Sequence, residues 1–275
     1  MRVVLFCGGL GLRMRALVED NGELRRRAAD APKPMIEVGG HPLLWHLMKW
    51  YAHYGHTEFV LCLGHRGEVI RDWFLTQAHG GVMPLNSSIP AVKVRMEEPE
   101  MAGWEVTLVD TGPDAVVGQR LRAVREFVDD QDVFLANYAD GLSDVPLPEL
   151  IELSQETGAV ATFMAAPLAS SLHAVRVTGS GHVHSIGPLE DQHLLINGGF
   201  FVLRSEIFDY LHESEELVVE PFGRLINEGR LVAMPYHGFW VALDTAKDRV
   251  RAEELWETSR PWAVWESLAA VNGAH

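Results

Sequence analysis

The chain has 275 residues, of which 47% are hydrophobic and 22% charged, and its formal net charge is -15. This composition is typical of a globular protein, and the length is compatible with one α/β domain. The negative charge argues against nucleic acid as the main partner, because phosphate backbones bind surfaces rich in Lys and Arg. An anionic substrate would therefore need a few well-placed cations, backbone N–H groups or a metal ion.

In the first half of the chain, strand-like and helix-like segments alternate around a polar loop at Met14–Pro34. The apolar runs predict strands at Met1–Cys7, Phe59–Leu63, Ala91–Met96, Glu105–Val109 and Val133–Asn137. Helical patterns follow Pro42 and lie near Glu68–Leu75, Gln119–Val128 and Leu147–Thr157. Cys7 and Cys62 fall in two of the strands, so we expect buried, reduced thiols rather than a disulfide or a nucleophile.

The second half is richer in strands. These are predicted at Val160–Ala165, Ala174–Val177, Val183–Ile186, Leu194–Leu203, Leu231–Tyr236 and Phe239–Ala242. Helices are predicted near Ser205–Leu211, Glu220–Glu228 and Thr245–Thr258. The alternation predicts an α/β fold, a three-layer Rossmann-like architecture with a mixed, mostly parallel sheet covered by helices on both faces. Such sheets bind ligands beyond the carboxyl ends of their strands.

A glycine-rich segment, Gly8-Gly9-Leu10-Gly11-Leu12-Arg13, directly follows the first strand. Glycines there let backbone N–H groups approach phosphate oxygens, and Arg13 adds a forked cation. The alternative is a tight structural turn. The segment fits neither the dinucleotide fingerprint, since a polar loop follows instead of a helix, nor a Walker A loop, so an NAD-dependent oxidoreductase is disfavoured.

Lys33 is flanked by prolines in Pro32-Lys33-Pro34-Met35, at the end of the polar loop. Proline restricts both its own backbone and that of the preceding residue, so Lys33 should be held in an extended segment. A lysine held near a glycine-rich loop suits a reacting phosphoryl group. By itself it would more often be a solvated surface lysine, but together with the glycine-rich segment we favour the functional interpretation.

Two acids follow predicted strands at equivalent places. Asp140 comes after Val133–Asn137 and precedes a glycine, and Asp244 comes after the strand that begins at Phe239. Converging carboxylates beside phosphates would bind Mg²⁺ through hard oxygen ligands. The alternatives are a turn residue for Asp140 and a helix N-cap for Asp244. The matched positions of the two acids favour the metal.

Further polar candidates occur in the second half. Asn197 precedes Gly198-Gly199 within a predicted strand, where glycines indicate a bulge or close approach of a ligand. Asn197 and Glu220 are candidates to bind sugar hydroxyls. Arg120 is a candidate for phosphate, although such a cation is more often a surface residue. The histidines show no spacing typical of zinc ligands.

These motifs occur in one order along the whole chain, and that order resembles the sugar-1-phosphate nucleotidylyltransferases, most closely the members that use CTP and glucose 1-phosphate. The stretches that carry the resemblance are Phe6–Arg13, Pro32–Met35, His41–Gly64, Val109–Gly112, Tyr138–Val145, Asn197–Phe201 and His237–Thr245. The resemblance implies the nucleotide-diphospho-sugar transferase fold, as one domain at 1–275. Residues 1–145 would be the nucleotide-binding half and residues 146–275 the sugar-phosphate-binding half.

The resemblance also implies roles for single residues. Arg13 and Lys33 would be catalytic and would neutralise the triphosphate. The nucleotide would be bound by Gly8, Gly9, Gly11, Arg13, Lys33 and Arg120. The sugar would be bound by Asn197 and Gly198, with Glu220 as the further candidate from the sequence. Asp140 and Asp244 would bind Mg²⁺. The expected partners are an NTP and a sugar 1-phosphate.

Two positions depart from the family pattern. Leu12 replaces a threonine in the glycine-rich segment, and Gly187-Pro188 stands where the family carries a Glu-Lys pair that binds the sugar phosphate. A different class of protein therefore stays open, one that binds a nucleotide or sugar phosphate but has lost transferase activity. No signal peptide and no run of about 18 apolar residues occurs, so we expect a cytoplasmic protein without a membrane partner. A homo-oligomer is left open.

Overall fold

The computed structural model describes residues 1–9, 31–78, 82–168 and 172–266. The predicted phosphate-binding residues Gly11 and Arg13, and the departure at Leu12, lie outside these residues. The described strands are β1 Val3–Phe6, β2 Glu37–Val38, β3 His41–Pro42, β4 Glu58–Leu63, β5 Val82–Pro84, β6 Ala91–Arg95, β7 Glu105–Asp110, β8 Val133–Tyr138, β9 Gly141–Ser143, β10 Ala161–Pro167, β11 His173–Val177, β12 Val183–Pro188, β13 Leu195–Asn197, β14 Phe201–Arg204, β15 Leu231–Pro235 and β16 Trp240–Ala242.

The described α-helices are α1 Leu43–His53, α2 Gly67–Gln77, α3 Val117–Ala123, α4 Leu147–Thr157, α5 Glu220–Asn227 and α6 Ala246–Thr258. Short 3-10 helices lie at Lys33–Met35, Arg125–Phe127, Glu190–Gln192 and Ser205–Asp209.

One large mixed sheet organises the described chain. Its strands follow the order β13-β10-β14-β8-β1-β4-β7-β6-β5, and β15 pairs with β10. The four central strands, β8, β1, β4 and β7, are parallel. At the two sides of this group β14 pairs antiparallel with β8 and β6 pairs antiparallel with β7, and β5 in turn pairs antiparallel with β6. The carboxyl ends of the four central strands therefore lie on the same edge of the sheet.

Alternate residues of β1 face two different helical layers, although all four are buried. Val3 and Leu5 belong to a core cluster that includes residues of α1, α2 and α4. Val4 and Phe6 belong to a second cluster, with residues of α3 and α5. A strand that is buried on both faces is expected at the centre of an α/β sheet. The predicted three-layer α/β fold is therefore confirmed.

A third, smaller core lies between α6 and the segment that follows Lys33. Val38, Leu43, Leu243, Ala252 and Trp262 are buried together in it. Beside it, the short strands β9 and β16 form an antiparallel ladder outside the main sheet, in which Ala242 pairs with Gly141. This ladder brings the residues on either side of it, from positions about a hundred apart in the chain, close together.

The predicted strand Leu194–Leu203 is wrong as one element. It divides into β13 and β14, which both pair antiparallel with β10. Gly199 and Phe200, between them, have φ angles of 80° and 52°, in the left-handed region that interrupts a strand. The predicted helix near Gln119–Val128 is shorter than expected, since α3 ends at Ala123.

Two further features of the described residues are the state of the cysteines and the length of the helices. Cys7 and Cys62 are buried free thiols on neighbouring strands, as expected. Burial raises the pKa of both thiols. None of the helices in the described ranges is long and apolar enough to cross a lipid bilayer.

Candidate active site

A cleft of about 610 Å³, open to solvent, lies at the carboxyl ends of β1 and β8. Residues from five segments of the chain line it: Phe6–Gly9, Lys33–Pro34, Ala115–Val117 with Arg120, Tyr138–Asp140 and Glu216. The sequence-predicted residues Gly8, Gly9, Lys33, Arg120 and Asp140 are therefore brought together at one edge of the sheet. This is the position where parallel α/β sheets bind ligands.

Lys33 joins the two predicted metal ligands. Its Nζ atom donates to Asp140 Oδ2 over 3.4 Å and also forms an ion pair with Asp244 Oδ1. The Lys33 side chain is 16% exposed, and the two carboxylates are 34% and 35% exposed. The two acids thus converge on one cation, the Lys33 ammonium, and their role as Mg²⁺ ligands stays a prediction.

The ladder of β9 and β16 explains why the two acids meet. Asp140 directly precedes β9, Asp244 lies two residues after β16, and the Leu243 N–H donates to the Asp140 carbonyl over 2.9 Å. The N-cap of α6 is Thr245, which forms a capping box with Asp248. Asp244 is therefore not the N-cap, and the alternative raised from its sequence position is wrong.

The pKa of the Asp140 carboxyl group is shifted by burial and by two neighbouring charged groups. Burial raises the pKa of its carboxyl group, the Lys33 ammonium lowers it, Asp244 raises it, and the net change is upward. Two carboxylates side by side repel each other unless a cation lies between them. A cation at this position, whether ammonium or metal, relieves the repulsion between the two carboxylates.

Arg120 is buried below the cleft, with 3% of its surface exposed. Its Nη1 donates to Leu63 O, Thr111 Oγ1 and Gly112 O over 3.1, 2.6 and 3.0 Å, and its Nη2 donates to Gly8 O over 2.9 Å. The terminal nitrogens are thus engaged with the protein. Arg120 holds the ends of β1 and β4 and the loop after β7 in place, and its predicted contact with a nucleotide phosphate stays a prediction.

The glycines around Arg120 leave room for its guanidinium. A Cβ atom on Gly8 would lie 2.1 Å from Arg120 Cζ, and one on Gly64 would lie 2.4 Å from Nη1. No described heavy atom lies within 4 Å of a Cβ built on Gly9. The requirement for glycine at position 8 therefore comes from the buried arginine, whereas Gly9 faces the open cleft.

The predicted sugar-binding segment borders the other side of Tyr138. Asn197 Nδ2 donates to Tyr138 Oη over 3.1 Å, and Asn197 Oδ1 accepts from the Gly199 N–H over 2.9 Å. Trp240 Nε1 donates to the Gly198 carbonyl over 2.9 Å. Asn197 is therefore held beside Tyr138, which lines the cleft, and Gly198 is held beside Trp240. Their contact with a sugar stays a prediction.

Glu220 does not line the cleft. Its side chain is exposed at the start of α5, where Oε2 accepts from the Glu216 N–H over 3.1 Å. Glu216 lies in the cleft instead, and its Oε2 accepts from the Val117 N–H over 3.3 Å. Sequence reasoning missed Glu216, which follows a run of charged residues, and it gave Tyr138 no separate role. The only sequence signal for this part of the cleft was the apolar strand that ends at Tyr138.

The residues at the departure from the family pattern lie on the two-stranded ribbon of β11 and β12. Gly187 and Pro188 end β12 and are opposite Ala174 and His173. Arg176 lies on the same ribbon and donates through Nη2 to Gln192 Oε1 over 2.6 Å. Neither Gly187 nor Pro188 offers a cation.

Nearly the whole chain is similar to known proteins. It is 35% identical to a glucose-1-phosphate cytidylyltransferase of Salmonella typhimurium over 271 residues, which cover 97% of this chain and all of the relative. It is 34% identical over 269 residues to a probable glucose-1-phosphate cytidylyltransferase of Bacillus subtilis, covering 96% of this chain and all of the relative. No protein-family model matches.

A solved structure supports the fold. A putative glucose-1-phosphate thymidylyltransferase from Bacillus anthracis superposes with a TM-score of 0.63 at 15% identity, covering 94% of this chain and 96% of that one. At that identity the likeness shows the fold alone, whereas the identity to the Salmonella and Bacillus subtilis proteins extends over nearly the full length of each chain. The chain belongs to the sugar-1-phosphate nucleotidylyltransferase family.

Proposed function

We propose that this protein joins an NTP to a sugar 1-phosphate and releases an NDP-sugar and pyrophosphate, with CTP and glucose 1-phosphate as the favoured pair. The observation that carries the proposal is the cluster of Lys33, Asp140 and Asp244 at the mouth of the cleft. It supplies a cation and two metal-binding carboxylates beside the glycine-rich segment. The Salmonella typhimurium relative is a glucose-1-phosphate cytidylyltransferase and the Bacillus subtilis relative is a probable one, which supports this choice of substrates.

The chemistry is a direct displacement at phosphorus. A phosphate oxygen of the sugar 1-phosphate attacks the α-phosphorus of the NTP, a new P–O bond forms, and the bond to the β-phosphate oxygen breaks. The electron pair of that bond leaves with pyrophosphate. The attacking oxygen is already anionic near neutral pH, so no general base is needed. Catalysis then depends on positioning and on neutralisation of charge.

The residues of this chain supply those two effects. Lys33 lies where its ammonium can neutralise phosphate oxygens, and Arg13, in the glycine-rich segment, is expected to add a second cation. Gly8 and Gly9 present backbone that phosphates can approach, with Gly8 held by Arg120. These groups would bind the triphosphate in one orientation and neutralise the charge that develops on the leaving pyrophosphate.

The two carboxylates fit Mg²⁺. Asp140 and Asp244 both point oxygens at the Lys33 ammonium, and this convergence of two carboxylates supports the proposal of a cation site here. No group of three or more His, Cys, Asp or Glu side chains suited to a metal occurs in the described part of the chain. Mg²⁺ commonly takes one or two carboxylates and completes its shell with water and substrate phosphates, so Asp140 and Asp244 would suffice as its protein ligands. When bound, Mg²⁺ would neutralise phosphate charge and orient the triphosphate.

The test is pyrophosphate release from purified protein with Mg²⁺, with each common NTP crossed against several sugar 1-phosphates. We expect release only when one NTP and one sugar 1-phosphate are present together, greatest for CTP with glucose 1-phosphate. Release from an NTP alone would contradict the proposal, because it would indicate hydrolysis. We expect the same activity in the cytoplasmic fraction of cells that express the protein.

A second candidate is a protein that binds nucleotide or sugar phosphate without transferring it. The observation that favours it is Gly187-Pro188, which offers no cation where the family binds the sugar phosphate. This candidate predicts that an NTP raises the melting temperature while no pair of substrates yields pyrophosphate.

A further inference from the structure

One ammonium group occupies the place between the two carboxylates that would bind the metal. Lys33 Nζ contacts Asp140 Oδ2 over 3.4 Å and pairs with Asp244 Oδ1. Only 16% of the Lys33 side chain is exposed, so the pairing is shielded from water more than a surface ion pair would be. The same oxygens cannot bind a divalent ion closely while the ammonium stays there, because the two cations would repel each other.

The backbone around Lys33 restricts how this conflict can be resolved. Lys33 begins a 3-10 helix, so the extended segment predicted from its flanking prolines is wrong. In this helix the Met35 N–H donates to Pro32 O over 2.8 Å and the Ile36 N–H donates to Lys33 O over 3.0 Å. Prolines on both sides limit the backbone further. The flexible four-carbon side chain is therefore the part that can move. A triphosphate in the cleft would offer it new anionic partners.

We propose that Lys33 holds Asp140 and Asp244 closed against a free divalent ion, and that the triphosphate opens the site by drawing the ammonium onto its own oxygens. This inference rests on the proposed function for the arrival of a triphosphate. It assigns Lys33 two successive partners, the carboxylates before the nucleotide binds and the phosphates afterwards. Metal and nucleotide then enter together, since neither completes the site alone.

The inference predicts that removing the lysine strengthens metal binding. Mn²⁺ can be titrated into nucleotide-free protein, with the free ion measured by electron paramagnetic resonance. We expect Lys33→Met to bind Mn²⁺ about tenfold more tightly than the unsubstituted protein, because a competing like charge is gone from two half-buried carboxylates. We expect Lys33→Arg, which keeps the charge, to bind Mn²⁺ like the unsubstituted protein.

Two controls separate this effect from a general change in charge. Lys49→Met removes one positive charge from a lysine whose Nζ donates to the Glu100 carbonyl and lies over the Trp45 ring. It should change Mn²⁺ affinity less than about twofold, since neither Lys49 nor these two contacts line the cleft and exposed charges are screened by salt. The double substitution Lys33→Met with Asp244→Asn should lose the gain.

The Mn²⁺ affinity of the Lys33→Met protein decides whether the inference holds. Tighter Mn²⁺ binding by Lys33→Met alone supports the inference, and equal or weaker binding in a folded Lys33→Met or Lys33→Gln protein overturns it. Far-ultraviolet circular dichroism establishes that each variant is folded. The comparison uses no substrate, so a protein that releases no pyrophosphate would refute the proposed function without affecting this measurement.

Discussion

Arg120 Nη2 donates a hydrogen bond to the Gly8 carbonyl over 2.9 Å, and the same guanidinium fills the space where a side chain at Gly8 would begin. The glycine-rich segment is thus joined, through one buried arginine, to the ends of two other central strands. A charged group in such a place stabilises the fold only while its hydrogen bonds are made. The first prediction follows from this pairing.

Gly8→Ala should destabilise the protein, and Gly9→Ala should not. The methyl group added by the Gly8→Ala substitution would displace the Arg120 guanidinium and break hydrogen bonds of a buried charge. The free energy of unfolding should fall by about 2 kcal/mol or more. A methyl group on Gly9 meets no described atom within 4 Å. Urea unfolding of both variants measures the difference. Equal free energies of unfolding would show that Arg120 does not hold this segment.

His46 should make the stability depend on pH. It is fully buried, its Nδ1 accepts from Trp262 Nε1 over 3.3 Å, and its Nε2 lies 2.8 Å from Val38 O. These partners require the neutral ring with the proton on Nε2. Burial lowers the pKa of His46 to about 4, the bond to Val38 opposes this, and His41 adds to it.

The sign follows from the unfolded chain, in which histidine titrates near pH 6.5 and therefore binds its proton before the folded protein does. His46 should thus lower the free energy of unfolding by about 3 kcal/mol as the pH falls from about 6.5 to about 4. His46→Gln should remove this part of the pH dependence, and His184→Gln, on the exposed β12, should not. Unchanged pH dependence in His46→Gln would refute the assignment.

Gly199→Ala should be more destabilising than Gly229→Ala, although both glycines have positive φ angles, of 80° and 67°. A Cβ atom on Gly199 would lie 2.3 Å from Asn137 Oδ1, whereas one on Gly229 would meet no described atom within 4 Å. The backbone strain is common to both and costs about 1 kcal/mol. Chemical denaturation should therefore show at least about 1 kcal/mol of further loss for Gly199→Ala. Similar losses would contradict the packing of this loop.

Asp140→Asn should nearly abolish turnover in a folded protein, by at least about a hundredfold, because it removes a charged ligand of the proposed metal. Pyrophosphate release at saturating substrates measures the loss, and circular dichroism checks the fold. Asp248→Asn is a matched control, since Asp248 lies near Asp244 but caps α6 through Thr245. Asp248→Asn should affect stability more than turnover. Retained turnover in folded Asp140→Asn would refute the metal assignment.

Much of the site could be predicted because parallel strands end at one edge of a sheet. The apolar runs of β1 and β8 located Gly8 and Asp140 at that edge without any knowledge of helix packing. Lys33 could be placed near them only through the prolines that flank it and the family resemblance. These are properties of single segments, which a sequence displays directly.

The rest depended on contacts between distant segments. β16 was predicted as part of Phe239–Ala242, but β9 has three residues, too few for a pattern, and the pairing of these two strands sets the meeting of Asp140 and Asp244. Arg120 was predicted as a phosphate ligand, but its partners come from the ends of β1 and β4 and from the loop after β7. The left-handed turn at Gly199 was visible only as glycines within a strand.

The central claim is the transfer of a nucleotidyl group to a sugar 1-phosphate, and ³¹P nuclear magnetic resonance of the products tests it most directly. Protein, Mg²⁺, CTP and glucose 1-phosphate are incubated together and the phosphorus signals are followed. The account predicts equal amounts of pyrophosphate and of a new diphosphate diester, the CDP-sugar, formed as CTP and glucose 1-phosphate disappear. If CTP raises the melting temperature but neither product forms with glucose 1-phosphate or any other sugar 1-phosphate, the transferase assignment is contradicted and the protein only binds its ligands.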